Sequence, residues 1–483
     1  MNFPLKSIMN DNLTSSEIAS VAIIKGNTPK ESVLEGIAKL GGISKFINKG
    51  DSVFIKINLK KPNGSPTNTN LDVINAVISL CKNAEAREII VGSFPVKHIR
   101  TKDLVETLGL ERLFEKFGAK LLLLDNNEEY SHKIIQVGGK EFKVPSEILE
   151  SDKMISINQV NVDPIFTCTL GLLNSYSIVS SEYRKITNMK GEKDYLRYDY
   201  YKKELIYNIL DVFTIKKPQL IINDLFYSLE SAGPFIYKDS NLKETGFMVI
   251  GNDTVAVDVT TLNLLNLDYE NHPLLLEARI RKIGITNPSD IKVIGENLNN
   301  KRLKFKTCAS SLQDIEVFNT DIKKGQMCSG CFNQAYHLLN LMKSNMTKDL
   351  KYIIQQSFLI GEKPEEPESP DNLLIFGDCA INSTKNRSFR ILIIQKRENL
   401  IKSLTRKIKG KEKKDTKQKT KMVPNKKILE LPGCPPDILQ SIYSIIKFYS
   451  QDDVPGLNLY YHLIDSFTNL KEIEANEKEG RKS

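Results

Sequence analysis

Short apolar segments alternate with segments of helical period along the first 125 residues, and this alternation restricts the fold more than any other feature. Residue spacing predicts strands at 21–24, 53–57, 88–92 and 120–124 and amphipathic helices at 29–40 and 70–81. Thr28 and Pro29 are typical of the start of the first helix, and Gly41 of its end. Strand–helix–strand order of this kind predicts a parallel sheet with helices on its faces.

The alternation continues less regularly as far as residue 300. Apolar strand cores follow at 154–157, 220–222 and 248–251, then a helix at 255–265 and a closing strand at 291–295. We therefore predict an α/β fold, with a mostly parallel sheet and flanking helices at 20–300 and a smaller C-terminal α/β domain at 301–475. Residues 1–19 are predicted to be a flexible leader and residues 476–483 a tail.

The net charge of +9 comes from one segment of the chain. Residues 385–427 contain 17 Lys and Arg against three acidic residues, so this segment carries +14 and the remaining chain −5. Its lysine-rich part has no apolar period, which predicts a disordered insertion at about 398–425. No aromatic residue lies between Lys402 and Lys421, which argues against nucleic-acid binding. Contact with an acidic partner is the alternative to a solvated insertion.

The cysteine count and the N-terminus indicate the cellular compartment. The first 20 residues are polar and lack the apolar core of a signal peptide. No run reaches the ~18 consecutive apolar residues of a membrane span, so we predict a cytoplasmic protein without one. Seven cysteines are an odd number in a long chain without a signal, which favours reduced thiols or metal ligands over disulfides.

Four cysteines in the last third of the chain have the spacing of a cluster-binding set. Cys328 and Cys331 form a C-x-x-C pair before a segment of helical pattern, and a helix N-terminus stabilises thiolates. Cys379 follows the apolar strand 373–376, and Cys434 lies in Pro-Gly-Cys-Pro-Pro. Thiolates at irregular spacing and without histidine predict one [4Fe–4S] cluster on these four residues. The last segment is locally similar to cluster-binding segments in the small subunits of nickel–iron hydrogenases and the related subunit of respiratory NADH–quinone oxidoreductase.

Two other interpretations of the four cysteines stay open. Structural zinc sites usually show two C-x-x-C pairs, and one is present here. Cysteine is also among the most commonly buried residues, so the four thiols need not meet. Cys308 lies in an alternating segment that predicts a strand, and it is the substitute ligand. Cys81 and Cys168 are predicted to be core or pocket residues.

The candidate catalytic residues lie in the N-terminal domain. Lys56 lies inside an apolar strand, where an unpaired ammonium is costly, and Asn58 follows on the same strand face. The candidate partners of the lysine adjoin other apolar elements; they are Asp224, Glu230 and Asp258. We expect one of them to pair with Lys56 at the carboxyl edge of the sheet, where ligands bind in open α/β folds. The alternative is a lysine side chain that extends to the surface.

Three weaker signals have both a functional and an ordinary structural interpretation. The loop 62–69 leads into a helix, so its backbone N–H groups could bind an anion. The alternative is an ordinary turn, because the loop lacks a Walker or G-x-G-x-x-G pattern. Asp253 belongs to the pocket or only caps a helix. The five histidines are scattered without metal spacing, and His337 is the exception of interest because it follows the C-x-x-C pair on the same predicted helix.

Segments spread over residues 20–295 resemble the family named domain of unknown function 362. Residues 21–26 are similar to its opening strand, and residues 50–59, GDSVFIKINL, to its GD-x-V-x-IK-x-N signature. The other matching segments are 91–95, 169–174 (TLGLLN), 223–234 and 252–258 (NDTVAVD). The resemblance implies a domain that often accompanies iron–sulfur segments, and it implies no defined reaction.

Two features depart from the family pattern. Members usually carry a basic Lys-x-Lys-Thr-His-like stretch where this chain has residues 158–164, NQVNVDP, without Lys or His. If that stretch binds an anion in the family, this chain has lost or replaced the contact. The ferredoxin-type insert with closely spaced cysteines, present in some relatives, is also missing.

The combined prediction is an iron–sulfur protein with a redox or electron-transfer role and a ligand pocket in the N-terminal domain. An oxidoreductase reaction in that pocket, with an unknown electron donor or acceptor as partner, is the leading hypothesis. A non-redox enzyme with a structural cluster or zinc is the first alternative, and its Lys-Asn strand and Pro/Thr loop are similar to the lactate-racemase fold family. A scaffold or assembly protein is the second.

Overall fold

A computed structural model describes most of the chain. The described residues are 19–96, 99–124, 131–180, 182–184, 194–298, 302–345, 355–367, 372–390 and 427–449. The predicted lysine-rich insertion at 398–425, the predicted tail and all but one residue of the predicted leader lie outside these ranges. Ala19 is already the first residue of a strand, one residue before the predicted beginning of the domain.

The described residues form eighteen strands and twelve α-helices. The strands are β1 Ala19–Lys25, β2 Ser52–Lys56, β3 Glu88–Gly92, β4 Lys120–Leu122, β5 His132–Val137, β6 Lys140–Pro145, β7 Lys153–Gln159, β8 Val162–Asp163, β9 Thr167–Cys168, β10 Leu220–Asp224, β11 Tyr227–Glu230, β12 Asn241–Glu244, β13 Phe247–Gly251, β14 Ile291–Gly295, β15 Thr320–Lys324, β16 Gln356–Ile360, β17 Asn372–Phe376 and β18 Lys427–Leu431. The helices are α1 Pro29–Lys39, α2 Leu71–Asn83, α3 Thr101–Leu108, α4 Leu110–Phe117, α5 Ser146–Glu150, α6 Gly171–Ser175, α7 Asp194–Ile215, α8 Thr254–Leu264, α9 Pro273–Ile280, α10 Ser329–Asn345, α11 Asp378–Thr384 and α12 Ile438–Tyr449.

The large sheet has eight strands in the order β14-β1-β13-β10-β7-β2-β3-β4. All neighbouring pairs are parallel except the two that involve β13, which runs antiparallel to β1 and β10. The mostly parallel α/β fold predicted from the alternation is therefore confirmed. Each strand predicted from an apolar segment in this part of the chain is present, and Thr28 caps α1 by accepting a hydrogen bond from Glu31 N–H.

Helices cover both faces of the large sheet because successive strand residues point to opposite sides. Val21 and Ile23 of β1 pack with apolar residues of α6, α7, α8 and α9. Ala22 and Ile24 of the same strand pack with α1, α2, α3 and α4 on the other face. With both faces buried, the strands are continuous apolar runs, which is why the sequence shows them so clearly.

The strand order places a topological switch point in the middle of the large sheet. From β2 the chain adds β3 and β4 towards one edge, then crosses back and adds β7 and β10 on the other side of β2. The carboxyl ends of β2 and β7 therefore lie side by side, and their following loops diverge. Ligands of open α/β sheets bind in the crevice formed at such a point.

A second, separate sheet lies in the C-terminal part of the chain. Its four strands, β15 to β18, are parallel throughout and neighbour one another in sequence order. α10 and α12 pack on one face, and α11 packs near the other. α10 also contacts α7 of the N-terminal layer, so one helix is shared between the two halves of the molecule. The predicted smaller α/β unit is confirmed, whereas its limits at 301 and 475 stay a prediction.

Three two-stranded sheets were not predicted from the sequence: β5-β6, β8-β9 and β11-β12. Conversely, the strand predicted around Cys308 is wrong, since the backbone there forms no ladder. Its hydrogen bonds go to single residues: Ser231 N–H donates to the Lys306 carbonyl, and Lys306 N–H donates to the Glu230 carboxylate. Among the described residues, none of the helices combines the length and apolar character that crossing a membrane would require.

Candidate functional site

A cavity of about 300 Å³ opens at the switch point of the large sheet. Its walls come from the ends of β2, β3 and β7, from the segment that carries α6, and from α10. The lining residues are Asn58, Lys60, Ser93, Phe94, Pro95, Val96, Asn158, Gln159, Asp163, Ile165, Phe166, Thr169, Leu170, Leu173, Asn174, Tyr176, Ser177, Arg184, Leu205, Pro234, Phe235, Asn333 and His337. A pocket at the carboxyl edge of the sheet agrees with the sequence prediction.

Lys56 lies directly behind this wall and is fully buried. Its Nζ donates three hydrogen bonds, to the Ile57 carbonyl at 2.7 Å, Ser93 Oγ at 3.1 Å and Asn174 Oδ1 at 2.9 Å. Three acceptors match the three protons of an ammonium group. Burial lowers the pKa of Lys56 well below its ordinary value, and the nearby charges of Arg184 and Lys60 lower it further.

A chain of buried amides connects Lys56 to an acid on another helix. Asn174 Nδ2 donates to Asn158 Oδ1 at 2.5 Å, Asn158 Nδ2 donates to Asn223 Oδ1 at 2.8 Å, and Asn223 Nδ2 donates to Asp258 Oδ1 at 3.0 Å. The chain crosses α6, β7, β10 and α8. We refer to Lys56, Asn174, Asn158, Asn223 and Asp258 as the amide chain.

The predicted ion pair of Lys56 with an acid is wrong in its direct form. Asp258 accepts hydrogen bonds from Gly171 N–H and Leu172 N–H, both at 2.9 Å, and meets Lys56 only through the three asparagines. The alternative, a Lys56 side chain at the surface, is also wrong, because amide oxygens satisfy the ammonium internally.

The other two predicted acids lie away from Lys56. Asp224 accepts a hydrogen bond from Phe226 N–H at 2.9 Å. Glu230 pairs with Lys243 at 3.1 Å. Neither carboxylate lines the cavity, because each one is used to hold the local turn or hairpin of its own strand.

Asn58 is held by both of its amide atoms at the cavity wall. Its Nδ2 donates to Asn174 Oδ1 at 2.9 Å, and its Oδ1 accepts from Gln159 N–H at 2.7 Å. Lys56 and Asn58 therefore meet the same oxygen of Asn174, which confirms that they share a strand face. Gly171 permits the close approach of α6 to α8, since a Cβ at that position would lie 2.8 Å from Thr254 Cγ2 and 3.1 Å from Asp258 Oδ1.

Two basic residues and one acidic residue that the sequence analysis did not select also line the cavity. Lys60 is partly buried, and burial lowers its pKa to about 8, although the carboxylate of Asp163 acts in the opposite direction. Arg184 donates from Nη2 to the Pro95 carbonyl at 2.8 Å. Its buried Nε has no hydrogen-bond acceptor among the residues that the structure describes. Residues 158–164 lack the basic side chains expected from the family, and Lys60 and Arg184 supply positive charge at the same cavity.

α10 contributes the wall opposite the sheet. Asn333 and His337 line the cavity from this helix. His337 Nδ1 lies 2.7 Å from the Tyr237 hydroxyl. Burial and the charge of Lys61 lower the pKa of His337 to about 3, so its imidazole is neutral at physiological pH. The interest in His337 that the sequence raised is supported by this position.

The C-x-x-C pair lies at the start of the same helix. Cys328 precedes the first helical residue and Cys331 lies in the first turn, and both are buried. A hydrogen bond from Cys331, together with backbone N–H groups of the turn, lowers the pKa of Cys328 to about 6. The helix start lies where the sequence predicts it, and the lowered pKa of Cys328 agrees with the expected stabilisation of a thiolate there.

The other two cysteines are brought to this helix start by two turns that are bonded to each other. Asp378 N–H donates to the Gly433 carbonyl at 3.1 Å, and Gly433 N–H donates to Asp378 Oδ1 at 2.9 Å. Cys379 and Cys434 follow these residues, and their side chains are hydrogen-bonded to each other. A Cβ on Gly377, which has φ +89°, would lie 3.4 Å from Cys331 Sγ.

The four cysteines therefore form one group of two hydrogen-bonded pairs. One pair lies at the start of α10, and the other follows the ends of β17 and β18. The hydrogen bond with Cys328 and burial raise the pKa of Cys331 well above its ordinary value, and the charges of Cys379 and Cys434 raise it further. Among the described residues, no three His, Cys, Asp or Glu side chains are arranged to share one metal ion. All seven cysteines are free thiols.

The remaining cysteines lie elsewhere. Cys81 is buried among the residues of α1 and α2, and Cys168 among those of α6 and α8, as predicted. Cys308 accepts a hydrogen bond from the Tyr336 hydroxyl at 3.2 Å. Burial raises its pKa, and the charge of Asp163 acts in the same direction. Its role as the substitute ligand stays a prediction.

The loop 62–69 folds back on itself as an ordinary turn. Thr67 and Asn68 N–H groups donate to the Gly64 carbonyl, and Thr69 N–H donates to the Asn58 carbonyl. These donors are therefore not free for an anion, and no residue of the loop lines the cavity. Asp253 accepts from Ala256 N–H at 2.7 Å, so its interpretation as a helix cap is confirmed.

Part of this geometry lies in a segment that matches a known family model. Residues 53–263 match the family model described as Domain of unknown function (DUF362). The DUF362 match contains all five members of the amide chain, together with Lys60 and Arg184. It ends before α10, so the four grouped cysteines, Asn333 and His337 lie outside it.

Three proteins show the range of similarity. Thylakoid-associated protein sll1697 of Synechocystis is 22% identical over 258 residues, which cover 52% of this chain and 73% of that protein. A crystal structure of a Thermotoga maritima protein aligns with a TM-score of 0.29 and 15% identity, over 46% of this chain and 56% of that one. The structure of the lactate racemase apoprotein from Thermoanaerobacterium thermosaccharolyticum aligns with a TM-score of 0.30 and 10% identity. The alignment covers 72% of this chain and 69% of that one. The analogy with the lactate-racemase fold stays a hypothesis.

We predict that Asp224 makes the stability of the protein fall as pH rises. Burial raises the pKa of Asp224 to about 7 from an ordinary 3.8, so the folded state keeps a proton that the unfolded chain has lost. The associated stability is complete below about pH 4 and is lost as the pH rises to 7. Asp224→Asn keeps an oxygen for Phe226 N–H and removes the ionisation.

Urea denaturation between pH 5 and 8 tests this prediction. Asp224→Asn is expected to flatten the profile and to be more stable than the parent at pH 8 by on the order of 3 kcal/mol. The exposed Asp72→Asn serves as the matched control and should keep the parent's profile. A parallel profile in Asp224→Asn and parent would contradict the assignment.

Proposed function

We propose that the protein is an iron–sulfur electron-transfer protein whose cofactor exchanges electrons with a ligand in the DUF362 cavity. In this proposal Cys328, Cys331, Cys379 and Cys434 hold one [4Fe–4S] cluster. The observation that carries it is the position of α10. Two of the four cysteines lie at the start of this helix, Cys328 just before it and Cys331 in its first turn, and the next turns contribute Asn333 and His337 to the cavity wall.

The donor set fits a cluster better than a single ion. Zinc requires four ligands at about 2.3 Å from one centre, whereas each thiolate of a cluster binds a different iron and the four lie farther apart. The grouped cysteines consist of two hydrogen-bonded pairs, one at the start of α10 and one in the turns after β17 and β18. No histidine accompanies them, which also suits iron–sulfur ligation.

Two tyrosines lie between the cysteines and the cavity. The Tyr201 ring packs on Gly330, where a Cβ would lie 2.7 Å from Cδ2 of the ring. Burial raises the pKa of Tyr201, and the charges of Tyr176, Cys328 and Cys331 raise it further, so the ring is close to all three. Tyr176 lines the cavity. In this proposal Tyr201 and Tyr176 are the candidates for an electron path between the two sites.

Each group of residues has a defined role in this proposal. When bound, a [4Fe–4S] cluster supplies or takes up electrons. The start of α10 stabilises thiolate ligands through its backbone N–H groups. Gly330 allows Tyr201 to pack against the ligand turn, and apolar residues such as Phe332 and Tyr336 exclude water around it. The amide chain fixes the cavity wall so that a ligand meets prearranged polar groups.

Anaerobic purification tests the proposal. Iron and acid-labile sulfide should approach about four of each per chain, and the EPR spectrum should gain a signal upon reduction with dithionite. Zinc without iron would overturn the cluster assignment. A cluster that resists reduction would favour the second candidate, a non-redox enzyme whose cluster is structural.

One observation favours that second candidate. The amide chain from Lys56 to Asp258 joins no cysteine, so its chemistry does not require electrons. A scaffold without any reaction has less support, because a scaffold needs neither a buried lysine nor a lined cavity. We propose the cytoplasm as the compartment on the ground that reduced thiols persist there.

A further inference from the structure

We propose that the cavity at the switch point binds a small organic monoanion through Arg184 and Lys60, with the apolar body of the anion against Phe94, Leu173 and Phe235. The inference names the ligand class of the cavity in the proposed function. Binding of the anion itself needs no cluster, so the two proposals can fail separately.

Arg184 is the first observation that points to an anion. Its guanidinium makes one hydrogen bond, from Nη2 to the Pro95 carbonyl, and its Nε is buried without an acceptor among the described residues. A buried N–H without an acceptor is costly, and a carboxylate is the acceptor that a guanidinium prefers. The side chain lines the cavity, so a ligand there can supply that acceptor.

Lys60 is the second cation of the same wall. Its Nζ has no hydrogen-bond or ion-pair partner in the part of the chain that the structure describes, and Asp163 is the acid that acts on it. Asp163 already accepts two backbone N–H groups, from Ile165 at 2.9 Å and Phe166 at 2.8 Å. The lysine is therefore held near the cavity without a strong partner of its own.

The charge of the walls selects a single negative charge. Lys60 and Arg184 are positive and Asp163 is negative, while His337 is neutral because its pKa is lowered to about 3. Tyr176 is neutral as well, since burial raises its pKa to about 12. The net charge of the lining residues is therefore +1, which a monoanion balances. Lys56, behind the wall, is already satisfied by its own three acceptors.

The apolar part of the lining favours an organic anion over an inorganic one. Phe94, Leu173 and Phe235 face the cavity, together with other apolar side chains of the segment before α6. A cavity of about 300 Å³ is larger than a bare inorganic ion requires and lies at the small end of organic ligand sites. Asn333 and His337 offer neutral polar contacts opposite the cations.

Calorimetry and thermal denaturation of the purified holoprotein test the inference. The probes are benzoate, phenylacetate and 4-methylpentanoate, each compared with its neutral amide, and inorganic phosphate. We expect at least one carboxylate to bind and to raise the melting temperature, and its amide to bind at least 10-fold more weakly. Arg184→Gln should weaken binding of that carboxylate by 10- to 100-fold, the range of one charged hydrogen bond.

Two further variants keep the test interpretable. Arg184→Lys retains the charge and should weaken binding less than Arg184→Gln does. The exposed Arg112→Gln on α4 is the matched control and should bind like the parent. Circular dichroism verifies that each variant is folded.

Three results would overturn the inference: no carboxylate binds, the amides bind equally well, or phosphate binds more tightly than every carboxylate. An unchanged affinity in Arg184→Gln would also overturn it. If carboxylate binding persists in a protein that holds no iron, the monoanion site stands and the electron-transfer proposal fails. If iron is present and reducible but no carboxylate binds, the opposite holds.

Discussion

Cys434→Ser is expected to lose most of the iron and sulfide of the anaerobically purified protein. Its thiol is hydrogen-bonded to that of Cys379. A serine hydroxyl is a poor ligand for the soft iron of a cluster. The substitution is nearly isosteric in a half-buried turn, so the fold should persist. Iron content should fall from about four per chain to less than one.

Cys308→Ser is the matched control for this experiment. Cys308 lies in the same part of the chain and accepts a hydrogen bond from Tyr336, and none of the four grouped cysteines is among the groups that shift its pKa. Its replacement should leave the iron content and the EPR signal unchanged. Loss of iron in Cys308→Ser together with retention in Cys434→Ser would show that the fourth ligand is assigned wrongly. Similar circular dichroism spectra of the two variants would exclude unfolding as the cause.

Asn174→Ala is expected to lower the free energy of unfolding by about 3 kcal/mol. Asn174 Oδ1 accepts hydrogen bonds from both Lys56 and Asn58, and its Nδ2 donates to Asn158. Alanine removes these three bonds and a fourth from Nδ2 to Ser156 Oγ at 3.3 Å, and it leaves Lys56 Nζ with one acceptor fewer. A buried charged group that loses a partner is among the larger sources of destabilisation.

Urea denaturation of the full chain measures this effect. Asn263→Ala on α8 is the control, because Asn263 is only partly buried and makes no side-chain hydrogen bond within the described residues. The control should change stability by less than about 0.5 kcal/mol. Equal stability of the two variants would show that the amide chain contributes little to the fold. Because the bonds of Asn174 also hold the cavity wall, carboxylate binding should weaken in Asn174→Ala but not in the control.

The elements that local spacing predicts agree with the structure, and the long-range contacts do not follow from it. β2 and α1 are visible in the sequence because strand and helix periods are properties of neighbouring residues. The sequence shows that the side chain of Lys56 is buried, but it does not show which groups accept its hydrogen bonds. Its partner Asn174 is 118 residues away and looks like any other polar residue in a helical turn.

Arg184 and Lys60 were missed for a similar reason. Each lies in a loop or short turn, where a cation is usually exposed, and the sequence gives no signal that the two meet at one cavity. The absence of Lys and His at 158–164 was a usable signal. It indicated that positive charge was lost or replaced, but the replacement lies on other segments of the chain.

The sequence by itself determined the α/β class, the order of the strands along the chain, and the turn or helix start in which each grouped cysteine lies. These features depend on the periods of short segments and on the chemistry of single residues such as Cys328. Only the tertiary structure decided that the helix that carries Cys331 in its first turn also brings His337 to the cavity wall. That arrangement depends on how helices and sheets pack across more than 250 residues, which a local pattern cannot encode because packing is chosen by the whole set of buried surfaces.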